Sequence, residues 1–317
     1  MEKSTEDTKR NTKNVVVLAI CQALFNSGRT LTFIAASLVS ISMLGDNLTF
    51  VTAPVTMMLV GTAAGTLPSA FLMRRLGRKS GFVIGSIIGA IGSAIAAYAV
   101  SIDSFLFFNL GIFLFGIYSG AAQQYRFAAA DAAPEHIKAK SVSIVIAMGV
   151  VGAFIGPETT LMTKNLFGTV AFEGTFWALM VFCALTAVII LGIDIPKLTD
   201  EEYADHGRPL RQIVVIPTFI VALVAALFGY AVMNLLMTAT PVTMRIDEFT
   251  DNNIVRVIQW HVVGMFAPGF FTGHLIRKFG VVRITVVGSA LLLGSVFIAL
   301  AGNSFVHFFA ALFFLGV

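Results

Sequence analysis

The chain is a succession of apolar runs so long that few folds can hold them. Ten can be marked, over 15–43, 48–73, 80–101, 104–130, 139–163, 170–193, 211–241, 252–276, 283–301 and 303–317. Most reach the ~20 residues a helix needs to cross a bilayer. Within lipid, only helices and closed barrels satisfy every backbone group internally. A barrel would show strands of about ten alternating residues, and the runs do not alternate. Only 12% of the 317 residues are charged and 57% are hydrophobic, against about 25% charged in a soluble domain. Too little polar material remains for a wetted surface. The sequence predicts an all-α polytopic bundle with the lipid bilayer as its surroundings. The net charge of +4 is modest, and no nucleic-acid partner is expected. Cys21 and Cys183 fall inside apolar runs and read as small packing residues rather than a disulfide.

Two turns repeat. Ala70-Phe-Leu-Met-Arg-Arg-Leu-Gly-Arg-Lys79 joins segments 2 and 3, and Gly273-His-Leu-Ile-Arg-Lys-Phe-Gly-Val-Val-Arg283 joins segments 8 and 9. Aligning Gly77 with Gly280 sets an offset of 203 residues, under which Gly61 meets Gly264, Leu72 meets Leu275 and Arg74 meets Arg277. A repeat of this period in a membrane chain implies two similar halves. The expected division is a polar tail over 1–13, a six-helix half over 14–193, a polar linker over 194–210, and a second half over 211–317. The second half shows only four segments, and the expectation is a chain truncated within the tenth.

Lysine and arginine set the expected orientation. With the N-terminus inside, 17 of the 21 basic residues fall on inner turns, three (Lys164, Arg245, Arg256) on outer ones, and Arg29 in mid-segment. This is the positive-inside pattern. It predicts a cytoplasmic N-terminus, tail, hairpins and linker; the expected setting is a bacterial inner membrane.

The hairpin resembles that of the major facilitator superfamily, whose turn reads Gly-x-x-x-Asp-Arg-x-Gly-Arg-Lys. Here Ala70, Arg74, Arg75, Gly77, Arg78 and Lys79 stand in those slots, with Arg74 in place of the family's Asp. The weaker repeat expected between helices 8 and 9 matches at Arg277 and Gly280. Ala130-Asp-Ala-Ala-Pro-Glu-His-Ile-Lys-Ala-Lys-Ser141 is similar to the family's helix 4–5 turn. Gly149-Val-Val-Gly-Ala-Phe-Ile-Gly-Pro157 resembles the Gly-rich fifth helix of exporters, with Gly152, Gly156 and Pro157 at its centre and Glu158 after it. The resemblance implies a secondary transporter working by alternating access on a small-molecule solute, with a proton or other coupling ion as a further candidate partner. It also implies a gating role for the hairpin, with Asp131 facing Arg75 or Arg78.

Arg29 is the sharpest functional signal. A charge at mid-segment costs roughly 2.5–3.5 kcal/mol if it faces lipid, so it must face a partner or water. Asn26 shares its face, and the adjacent Gly28 is expected to loosen the helix. The cavity reading competes with a structural pair in which Glu158, or a helix beyond Val317, supplies the partner. Gln123 on segment 4 is the preferred cavity residue there, ahead of Arg126, which is expected to lie at the membrane interface. On segment 8, Gln259 and His261 are candidates, and His261 is open to two readings, a packing residue or a protonation switch. Tyr230 and Asn234, four apart on segment 7, are expected to reach the cavity from the other half. Met265 and Pro268 are read as packing and a kink. The glycines of segments 2, 3 and 5 read as close-packing sites.

No metal-ligand spacing, nucleotide-binding glycine loop or Ser/His/Asp arrangement is visible, so no cofactor and no enzymatic activity are expected. The resemblance implies, for many exporters, an arginine that would fall near Ile112 on the fourth helix; its absence here and the embedded Arg29 favour an anionic or carboxylate-bearing solute. A proton-coupled multidrug exporter and a non-transporting membrane sensor of the same fold are the alternatives.

Overall fold

Each apolar run folds as helix, because backbone groups inside lipid must find partners within their own segment. The computed structural model describes residues 2–45, 47–167, 170–195 and 209–317, without the side chains of 2–9, 135, 136 and 210. Its longer helices are α1 (Glu2–Leu44), α2 (Ala53–Leu76), α3 (Arg78–Ser101), α4 (Phe105–Ala122), α5 (Tyr125–Asp131), α6 (Glu135–Ala147), α7 (Gly149–Thr163), α8 (Glu173–Ile189), α9 (Pro217–Ile246), α10 (Asp251–Phe266), α11 (Gly269–Phe279), α12 (Val281–Ala301) and α13 (Phe305–Gly316). Among the described residues there is no strand. Eight helices or continuous helix pairs are long and apolar enough to cross a membrane, and α10 with α11 makes a ninth if that pair, bent by 42°, is one span. Positions 196–208 lie outside the described residues, and with them most of the expected linker, including Lys197 and Arg208.

The ten expected segments are all present, with differences in where helices start, divide or end. Helix α1 starts at Glu2, so the polar tail is helical and continuous with the first span. Segment 4 divides at Gln123–Gln124 into α4 and α5, and segment 5 divides at Met148 into α6 and α7. Segment 8 breaks at Ala267–Pro268, the kink expected at Pro268, where proline cannot continue the amide ladder. Segment 10 is the short α13. Gly28 does not loosen α1, whose ladder runs unbroken, and the Gly28 carbonyl also accepts a bond from Thr32 Oγ1 (2.8 Å).

The first six spans pack into one group around α1. Asn14 closes it, donating from Nδ2 to the Asp194 carbonyl and accepting the Asp194 N–H, both at 2.8 Å. The tightest seam is α2 against α4. A Cβ on Gly61 would stand 2.2 Å from the Phe113 carbonyl oxygen, and one on Gly116 2.4 Å from that of Met58. Gly65 and Gly120 leave only a little more room, at 2.6 Å from the Ile117 oxygen and 2.7 Å from that of Thr62. Helix α10 meets α13 in the same way, with Gly264 at 3.0 Å from the Phe313 oxygen and Gly316 at 2.4 Å from that of His261. Small residues permit such backbone approach between membrane helices.

The two hairpins share one geometry. Gly77 has φ 90° and ψ 158°, and Gly280 φ 84° and ψ 155°. Each ends one helix by bonding back four residues, to Met73 and Ile276, and opens the next. A side chain at either position would be strained, which is why glycine stands there.

Candidate functional site

Arg29 lies where α1 faces α9 and α10. A narrow crevice there is lined by Asn26, Arg29, Thr30 and Phe33 of α1, Met233 and Met237 of α9, and Val262, Met265 and Phe266 of α10. On the other side of Arg29 a cavity of about 220 Å³ is lined by Met58, Leu59, Thr62 and Ala63 of α2, Ser119 and Gln123 of segment 4, and Tyr230 of α9. A third space of about 310 Å³ adjoins Tyr230, Met233 and Met265, and is otherwise apolar, reaching Leu292 of α12 and Leu315 of α13. Arg29 is shared by the first two spaces, and Tyr230 by the second and third.

The chemistry of the spaces differs. The crevice walls are apolar, with three methionines and two phenylalanines, while its donors come from α1. The Arg29 guanidinium lies 5.7 Å from the centre of the Phe33 ring, within cation–π reach. It has no carboxylate partner among the described residues. Asn26 is 3% exposed, and its buried Nδ2 has no acceptor. A buried amide without a partner costs about 1–3 kcal/mol, so the crevice favours a guest that brings acceptors. In the cavity, Thr62 donates to the Met58 carbonyl (2.8 Å) and Ser119 to that of Phe115 (3.0 Å). Their oxygens keep lone pairs for a guest.

The expected site residues separate into two groups. Asn26, Arg29, Gln123 and Tyr230 line the spaces. Asn234 turns back on its own helix, donating to the Tyr230 carbonyl at 2.7 Å. Gln259 accepts from Arg256 (2.6 Å), which also pairs with Glu158. Glu158 is therefore committed to Arg256 and is not the partner of Arg29. His261 is fully buried against α13, with Nδ1 2.7 Å from the Leu312 carbonyl. A carbonyl only accepts, so Nδ1 carries the proton. Met265, read from sequence as packing, lines two of the spaces. Thr30, Phe33, Thr62, Ser119, Met233 and Met237 were not foreseen. Such small polar and apolar residues occur throughout the chain, and only the helix contacts single these out.

Ion pairs mark both ends of the bundle. At the hairpin end Arg78 pairs with Asp131, as the resemblance implied for Arg75 or Arg78, and its Nη1 lies 3.5 Å from Gln124 Oε1. At the opposite end Asp251 holds both Lys164 (2.7 Å) and Arg245 (2.5 Å). There the three basic residues Lys164, Arg245 and Arg256 all meet acids, and the Lys164–Asp251 and Glu158–Arg256 pairs tie α7 and its end to α10. Behind the site α7 presses on α1. A Cβ on Gly152 would stand 2.6 Å from that of Asn26, and one on Gly156 2.4 Å from the Ser27 oxygen. The glycines of segment 5, with Pro157 buried beside them, thus permit close packing against the turn that carries Asn26.

This arrangement has well-matched relatives. The family model described as Major Facilitator Superfamily matches residues 18–317. The Riboflavin transporter RfnT of Brucella anthropi is 39% identical over 307 residues, covering 96% of this chain and 77% of that protein. The uncharacterized MFS-type transporter YdeG of Bacillus subtilis is 26% identical, covering 96% and 74%. Among solved structures, a D-xylose-proton symporter superposes with a TM-score of 0.70 at 14% identity, covering 97% of this chain and 79% of that one. A bacterial homolog of the human lysosomal transporter Spinster, inward-facing and occupied, gives 0.68 at 18% identity, covering 97% and 73%. The chain belongs to the major facilitator superfamily, as a multi-pass membrane protein that transports small solutes and not an enzyme.

Proposed function

We propose that the chain moves a riboflavin-type solute across the membrane by alternating access, with Arg29 as its main polar contact. The observation that carries the reading is the position of Arg29. It has no carboxylate partner among the described residues and lies between two cavities where the two groups of helices meet. The similarity to RfnT supports the solute class. A flavin ring offers carbonyl acceptors to the guanidinium and flat apolar faces to methionine and phenylalanine walls. Asn26, Gln123 and Tyr230 are its other polar contacts. Gln259, Asn234 and His261 then lie outside the cavity: His261 holds α10 to α13, Gln259 supports the Arg256–Glu158 pair, and Asn234 bonds its own helix. The halves that rock are 14–193 and 211–317. The basic turns face the cytoplasm, with a bacterial inner membrane as the setting, and a proton is the first coupling ion to test.

The uncompensated charge of Arg29 favours a second reading, a carboxylate-bearing solute, since paired guanidinium donors suit that group. The test is uptake into proteoliposomes of riboflavin and of a panel of small carboxylates, with and without a pH gradient and in both protein orientations. Riboflavin uptake lost at least about tenfold in Arg29→Ala, and partly kept in Arg29→Lys, is the expected result for a charge-assisted bond. Uptake of carboxylates alone would select the second reading. Normal riboflavin uptake by Arg29→Ala at normal abundance would remove Arg29 from the site. Efflux, but no uptake, of unrelated cationic drugs would favour an exporter, and no flux of any solute would favour a sensor.

A further inference from the structure

We propose that the two spaces flanking Arg29 divide the solute between them, and that Thr62, Ser119 and Gln123 select for a hydroxylated tail on a flat ring. The inference rests on the flavin-type reading above and goes beyond it by assigning a tail subsite.

The crevice suits a ring. It is narrow, its walls are Phe33, Phe266, Met233, Met237 and Met265, and its free donors come from α1 at Asn26 and Arg29. Its free volume is only about 20 Å³ with the walls as they stand, so a flat heteroaromatic with apolar faces and acceptors on one edge enters only as the methionine walls part. Methionine side chains have three rotatable bonds, so the walls adapt to the ring's outline.

The roomier cavity suits a polar chain. Its volume of about 220 Å³ exceeds several waters' worth of space. The Thr62 and Ser119 hydroxyls spend their protons on the Met58 and Phe115 carbonyls and remain acceptors. Gln123 has no side-chain hydrogen bond among the described residues and offers both a donor and an acceptor. An alcohol group both donates and accepts, so successive hydroxyls on a short chain match this set better than a charged group would. Removing a polar contact that the site was built to make discriminates more sharply than trimming an apolar wall.

The experiment compares riboflavin with lumiflavin, which keeps the ring and replaces the hydroxylated tail by a methyl. Thr62→Val, Ser119→Ala and Gln123→Leu are reconstituted into proteoliposomes alongside wild type, with KM measured for both solutes. Each variant is expected to raise the riboflavin KM by about two- to tenfold and to leave the lumiflavin KM within twofold, while Thr62→Ser restores the wild-type value. Equal changes for the two solutes, or no change for either, would overturn the tail subsite and leave the flavin reading standing. Wild-type transport of neither solute would overturn the flavin reading itself, and this assignment with it. Thermal unfolding of each variant keeps a folding defect from passing as lost selectivity.

Discussion

The seam between α2 and α4 and the seam between α10 and α13 are two versions of one contact. Gly61 faces the Phe113 carbonyl in the first, and Gly264, 203 residues on, faces that of Phe313 in the second. Gly116 meets the Met58 carbonyl, and Gly316 meets that of His261. The hydrogen bonding differs. Met58 fills its place by packing alone, whereas His261 adds a bond from its ring to the Leu312 carbonyl. Four glycines close the first seam and two the second, and the first is tighter at Gly61 than the second at Gly264. A repeated fold thus keeps its helix crossing while changing the means of holding it. Close backbone approach dominates one half, and a side-chain hydrogen bond reinforces the other.

The sharpest way to break this comparison is to add one methyl group to each seam. In Gly61→Ala the new Cβ would stand 2.2 Å from a backbone oxygen, so a helix must move. The expected loss is about 1–3 kcal/mol, the range for overpacking a filled core. In Gly264→Ala the nearest atom is at 3.0 Å, and a shift of a few tenths of an ångström relieves it. Thermal unfolding in detergent should rank Gly61→Ala clearly below Gly264→Ala, and equal losses would mean that the two seams are equally filled.

Replacing His261 by its counterpart tests the second half directly. His261→Met removes one bond to the Leu312 carbonyl, with an expected loss of about 0.6 kcal/mol and at most about 1.7, as for single interhelical bonds in membranes. The pH profile of transport should not change, because the imidazole faces α13 rather than the lined spaces. A shifted profile at normal abundance would make His261 a titrating group of the cycle, the other reading its sequence position allows.

These contacts show where sequence reading reached and where it stopped. The spans, the hairpins and the 203-residue repeat are legible because lipid enforces long apolar runs and a left-handed turn enforces glycine. Arg29 is legible because a charge in such a run is costly and must be accommodated. The fate of Gln259 is only half legible: Arg256 stands three residues before it on the same helix, but nothing in that segment says that Glu158 of α7 will hold the arginine. The role of Thr62 or Ser119 is not legible, since their hydroxyls look like routine bonds to their own helices until α2, α4 and α9 are brought together. A residue's type and period indicate its cost in lipid, while its neighbours decide its use.

The smallest expected effects come from the ion pairs, and they contrast the two ends of the bundle. Arg78–Asp131 joins elements within the first group of helices, whereas Glu158–Arg256 joins the first group to the second. All four side chains are partly solvated, so breaking either pair should cost no more than about 1 kcal/mol of stability. Their effects on access should differ. With Cys21 and Cys183 both buried, a cysteine placed at Thr62 reports on the cavity over a low background. Glu158→Arg should speed its labelling by an impermeant thiol reagent added from the Asp251 end, because two like charges now oppose across the groups. Adding Arg256→Glu should restore the slow rate by re-forming the pair in reverse. Exchanging Arg78 and Asp131 should leave labelling from that end unchanged. Labelling that is indifferent to Glu158→Arg would mean that the apolar contacts between α7 and α10 close that end without help from charge.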